Sequence, residues 1–121
     1  MILSDELRQA AEALGESLRA SESVSVYLEA QRRLEADADA SGLDDRLTQM
    51  YQDLIARQRA GESLPQAEIE DFNTLRDKAF GHPLVAGRNT AFTLVKSNLA
   101  DIADVLSETL GIDYAALAQP I

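Results

Sequence analysis

The sequence predicts an all-α protein: an antiparallel bundle of about five helices with one long C-terminal helix over residues 83–110. Three observations carry that expectation. Only three prolines and six glycines punctuate the 121 residues. Between them apolar residues recur three and four apart, and no sustained strand-like alternation appears. From Pro83 onward the chain meets no breaker except Gly87 until Gly111. At 1.5 Å per residue that last stretch is a rod on the order of 42 Å long.

The elements follow in order. The first helix is expected from about Ser4 to Ala20, with Leu7, Ala10, Ala11, Leu14 and Leu18 on one face. Ser4 is a suitable N-cap, and Asp5 and Glu6 suit the positive helix end. The second starts near Ser21 or Ser23 and gathers Val24, Tyr27, Leu28, Gln31, Leu34 and Ala38 on one side. It is expected to run out in DADASGLDD, with Gly42 as a left-handed C-terminal residue and Asp44 capping the next helix. The third carries Leu43, Leu47, Met50, Tyr51, Leu54 and Ile55 and ends at Gly61. Ser63 and Gln66 then have the form of a capping box, with Pro65 in the tolerant first turn. The fourth places Ile69, Phe72, Leu75, Ala79 and Phe80 on one face and stops at Gly81.

The long fifth helix has a main stripe through Leu84, Val85, Ala91, Phe92, Val95, Leu99, Ile102, Ala103, Leu106 and Leu110. Leu94 and Val105 widen that stripe to about half the circumference, more than one neighbouring helix covers. A second subunit is the economical explanation, so Leu94, Leu99 and Val105 are candidate interface residues. Arg88 is a fourth. It falls inside the stripe between Leu84 and Phe92, where an arginine must either reach water or meet a carboxylate. The tail after Gly111 is expected to add one short turn or helix.

Composition bounds the function. A chain of 121 residues is one domain's worth, here residues 1–121, and can bury a core without metal or disulfide help. Without cysteine there is no disulfide, thiolate metal site or thiol nucleophile. No apolar run reaches the length of a membrane span, and the N-terminus lacks secretory character. A cytoplasmic protein without membrane insertion is expected. The net charge of −10 argues against direct binding of nucleic acid.

Little in the chain reads as chemistry. His82, the single histidine, stands between Gly81 and Pro83 and reads as helix stop, turn, helix start. No nucleophile, orienting acid or Gly-rich phosphate loop accompanies it, and neither catalytic residues nor a cofactor is expected. Asp37, Asp39, Ser41, Gly42 and Asp45 match positions of a calcium loop, but Thr48 stands where the bidentate glutamate belongs. A solvated acidic turn between helices is expected there, with no tight metal site. Arg32, Arg33, Arg57 and Arg59 read as solvated helix faces that could orient an acidic partner.

Two blocks carry a resemblance. LRASESVSVYLEAQRRLEAD, with Tyr27, Ala30, Leu34 and Asp37, resembles the early block of the YlbF/YmcA family of small bacterial helical proteins. GHPLVAGRNTAFTLVKSNLADIADVLSETLGID resembles its later block, through Pro83, Val85, Ala91, Leu99, Ile102 and Leu106. The similarity spans about Leu7 to Tyr114. It implies a self-associating helical protein, expected here as a homodimer. It also implies a non-enzymatic adaptor with protein partners, in the manner of relatives that influence competence, biofilm formation, sporulation and RNA processing by a membrane-bound endoribonuclease. Some relatives work in a complex with iron–sulfur clusters; this chain has no cysteine to offer one. It also carries Arg88 where the family pattern leads one to expect an aromatic or apolar residue. The alternative is a self-assembling structural protein without a regulatory partner.

Overall fold

The computed structural model describes residues 2–118, and every regular element among them is a helix. The helices are α1 (Asp5–Ala20), α2 (Glu22–Ala36), α3 (Ala38–Arg59), α4 (Gln66–Phe80), α5 (Pro83–Leu110) and α6 (Tyr114–Ala118). The all-α class and the long α5 agree with the sequence, including both bounds of α5. Pro83 occupies its first turn and Gly111, at φ 76°, ends it in the left-handed region. The short tail helix is α6.

Two helix junctions consist of a single extended residue. Ser21 (φ −66°, ψ 151°) separates α1 from α2, and Asp37 (φ −101°, ψ 118°) separates α2 from α3. Asp37 works as an N-cap, its carboxylate accepting from the Ala40 N–H at 2.9 Å. This corrects the expectation for DADASGLDD. Gly42 lies inside α3, not at the end of α2, and Asp44 caps nothing. The capping aspartate comes seven residues earlier than expected, because Asp37 satisfies an orphan N–H and the acidic first turn of α3 suits the helix dipole. The Ser63–Gln66 box is corrected too: Pro65 occupies the N-cap position of α4 without a side-chain cap.

The chain divides into two compact units, residues 29–89 and residues 1–28 with 90–121, and the divisions fall within α2 and α5. Residues 29–89 contain a packed core. Leu34, Ala40 and Val85 are almost fully buried together, with Leu84 against them, and Leu43, Leu54 and Ala79 are also buried. α3 and α4 pack against each other in this unit. Each large side chain buried there contributes about 1.5–3 kcal/mol.

The other unit contains α1, the start of α2, most of α5 and α6. Its buried apolar residues are Ala91 and Val95. Tyr27 and Phe92 meet with ring centroids 5.4 Å apart, Lys96 Nζ lies 4.8 Å over the Phe92 ring, and Asn98 donates to the Ser23 hydroxyl.

Candidate protein-interaction site

Arg88 sits one turn and a half into α5, where helical spacing puts it on the side that packs inward. Its guanidinium grips Asp44 of α3 with two bonds, Nη2 to Oδ1 at 2.6 Å and Nη1 to Oδ2 at 3.2 Å. Nη1 also donates to Gln31 Oε1 of α2 at 3.0 Å, and Nε donates to Asn89 Oδ1 at 2.9 Å. The Arg88 and Asp44 side chains are only 17% and 18% exposed. Burial of this order makes each charge depend on its partner; the bidentate pair ties α5 to α3, and the Gln31 bond adds α2. The buried ion pair considered for Arg88 is therefore present, inside the 29–89 unit. The sequence left its partner unnamed, although Gln31 already stood among the inward-facing residues of α2.

Leu94, Leu99 and Val105 lie on α5 in the other unit, and all three are exposed. Leu94 and Val105 are 55% and 61% exposed. The structure thus brings three of the four candidate residues onto one unit and places Arg88 in the other. More apolar side chains of the unit that holds the three are exposed than the sequence indicated. Phe92 and Leu110 of the main stripe are also exposed, as are Leu7 and Leu14 of α1 and Ile112, Tyr114 and Leu117 beyond α5. α1 has no buried residue at all, although Leu7, Leu14 and Leu18 share one face. A cavity of about 260 Å³ lined by Leu18, Val24, Val95, Leu99 and Ile102 adds to this incompletely filled apolar surface.

His82 helps start α5. Its Nδ1 accepts from the Leu84 N–H at 3.2 Å, and its carbonyl accepts the first helical bond, from Ala86. That geometry leaves the proton of a neutral ring on Nε2, which faces Asp37 Oδ1 at 3.9 Å. The resemblance of residues 37–48 to a calcium loop ends at the backbone. From Ala38 on they are helical, so Asp39, Ser41 and Asp45 project from a helix instead of wrapping an ion. The expected inter-helix turn is thereby corrected to the first turns of α3.

Arg32, Arg33 and Arg57 of the basic spots are ion-paired. Arg32 and Arg33 both reach Glu29, which hydrogen bonding to Arg32 and then Arg33 holds down to a pKa of about 2. Arg57 reaches Glu68 at 2.7 Å, Glu62 at 3.3 Å and Asp53 at 3.5 Å. Hydrogen bonding to Glu68 leads the effects that raise the Arg57 pKa.

The described residues contain no helix long and apolar enough to cross a membrane and no group of three acidic, histidine or cysteine side chains placed to hold a metal ion. No curated protein and no solved structure matches the chain. The family model described as control of competence regulator ComK, YlbF/YmcA, matches residues 7–111, close to the span on which the two sequence blocks lie. That match covers the core of the 29–89 unit, the Arg88–Asp44 clasp and the exposed length of α5, and the chain belongs to the YlbF/YmcA family, whose described role is regulatory control.

Proposed function

We propose that the protein is a non-enzymatic adaptor that acts in the cytoplasm through protein–protein contacts and works as a homodimer. The observation that carries the proposal is the apolar surface of the unit formed by residues 1–28 and 90–121. Leu94, Leu99 and Val105 of α5 and Leu7 and Leu14 of α1 all stand exposed there. A monomer gains nothing from such a surface, and large exposed apolar patches mark interaction sites. A two-fold dimer covers it with the same patch of a second copy. Burying one Leu or Val fully is worth about 1.5–3 kcal/mol, so a few such residues supply the core of a stable contact.

The regulatory description of the family supports an adaptor over a purely structural assembly. Control of RNA processing or of a developmental switch fits that role if the partners are proteins, since a net charge of −10 opposes direct contact with RNA. Arg88 acts in this reading as the clasp that holds the partner-binding framework in register, through Asp44 and Gln31. Affinity capture from the native cell tests the adaptor role. Reproducible recovery of the same foreign proteins is expected. Recovery of further copies of this chain alone would leave the self-assembling alternative instead.

A further inference from the structure

We infer that the 29–89 unit carries a docking groove for a short amphipathic helix of a partner protein, with apolar side chains four residues apart and an acidic residue beside them. This deepens the adaptor reading and rests on it, while using a surface distinct from the proposed dimer face. The groove lies along α3 and α4. Asp44, Leu47, Thr48, Tyr51 and Gln52 line it from α3 at helical spacing, and Phe72, Arg76 and Phe80 from α4, around a cavity of about 530 Å³. Each row runs over nine residues, about 12 Å from first to last, which matches about two turns of a helical ligand.

Three observations fix the occupant's chemistry. Among the described residues of this unit the large apolar side chains left exposed are Tyr51 and Phe80, and both line this groove. Tyr51 and Phe72 meet at a tilt of 35° with centroids 6.1 Å apart, forming an aromatic wall of the kind that anchors interface hot spots. The charged groups lining the groove are Asp44, Arg88 and Arg76. The first two neutralise each other in the bidentate pair, so the charge left within the lining itself is positive and belongs to Arg76. Arg76 is 43% exposed, and its ion-pair partner, the neighbouring Asp77 at 3.5 Å, is 76% exposed and lies outside the groove lining. Apolar contact with an acidic flank is therefore the complement. A helix supplies it through residues i and i+4, the mode by which apolar grooves between helices are filled.

The test uses the full chain and a phage-displayed library of randomised helical peptides on the order of 20 residues, long enough to hold a helix. Selected peptides should share two apolar or aromatic residues four apart and a flanking Asp or Glu. By fluorescence anisotropy, Tyr51→Ala and Phe80→Ala should each weaken the selected peptide by about tenfold or more, the loss typical of a hot-spot residue. Arg76→Glu should weaken it comparably, and replacing the peptide's acid by Lys should restore binding to that variant. Arg46→Glu, which lines a different cavity of the same unit, should change nothing. Restoration by the swapped charge excludes a folding defect as the cause.

A library that yields no such peptides, or peptides indifferent to Tyr51→Ala and Phe80→Ala, would overturn the groove. So would a change in molar mass caused by those two substitutions, because a second copy would then be the occupant. If native-cell partners are still captured by groove variants that no longer bind peptide, the adaptor reading stands and the groove alone falls.

Discussion

Residues 29–89 and the unit formed by residues 1–28 and 90–121 are nearly equal in length but opposite in packing. Of the buried apolar residues among those described, Leu34, Ala40, Leu43, Leu54, Ala79 and Val85 belong to the first unit, and Ala91 and Val95 to the second. Exposure runs the other way. Among the described residues the first unit leaves Tyr51 and Phe80 exposed, whereas the second leaves fourteen large apolar side chains in the same condition, from Ile2 to Leu117. Both are built from helices, so helix propensity does not account for the difference. One unit satisfies most of its apolar faces internally, the groove at Tyr51 and Phe80 aside; the other presents them. A core closed by Leu34 and Val85 and clasped by Arg88 is what a folded framework requires, and an open apolar face is what an interface requires.

The largest expected effect lies in the closed core. Leu34→Ala removes a side chain that is 1% exposed and should cost about 2–5 kcal/mol in denaturant unfolding, independent of protein concentration. Leu99→Ala, on the open unit, should instead make the melting temperature depend more steeply on protein concentration, as for a contact between copies. Equal, concentration-independent losses at both positions would erase the contrast.

The clasp comes next. Arg88→Met should destabilise by about 1–3 kcal/mol, since it leaves Asp44 largely buried without its bidentate partner. Adding Asp44→Leu to that variant should recover part of the loss, because no charge is then stranded. A double variant that is less stable than Arg88→Met would show that the pair does not act as a unit.

The junction between α2 and α3 gives a pair of opposite signs. Asp37→Ala should cost about 1 kcal/mol by removing the cap on Ala40. Gly42→Ala should stabilise by about 0.5–1 kcal/mol, because Gly42 lies within α3 and an added Cβ meets nothing within 4 Å. A destabilising Gly42→Ala in thermal melts would restore a helix end at that glycine.

The smallest effect is in acid. The Glu29 carboxyl, held at about 2 in the folded chain against an ordinary 4.5, favours the folded state at pH above 4.5. That contribution should fade as the pH falls from 4.5 through 2 and be absent in Glu29→Gln. Exposure of Glu29, Arg32 and Arg33 keeps it small. NMR titration of the Glu29 side-chain carboxyl measures it; a midpoint at the ordinary value would remove it.

Sequence reasoning succeeded where a single local rule decides the outcome. α5 was legible at both ends because a proline opens it, a glycine with positive φ closes it and nothing between them competes. DADASGLDD was misread because it offers several residues able to cap or to break, and the choice among them depends on which N–H each one faces. Arg88 was legible as an anomaly, a charge within an apolar stripe, but Asp44 lies 44 positions away and no periodicity links the two. The hint was that Asp44 stands one turn after Ala40, on the side of α3 that turns inward. The groove was invisible because Tyr51 of α3 and Phe72 and Phe80 of α4 each read as ordinary core positions. Only the pairing of α3 with α4 shows that the first and last remain exposed.

The most direct test of the contrast between a closed framework and an open apolar unit is the molar mass in solution, measured by multi-angle light scattering. The wild type should be a dimer. The double variant Leu94→Glu, Val105→Glu should be a folded monomer, with helical circular dichroism retained, because the substituted side chains are 55% and 61% exposed in one chain. A wild type that is monomeric at working concentrations, or a double variant that remains a folded dimer, would contradict the assignment of that face of α5 to self-association.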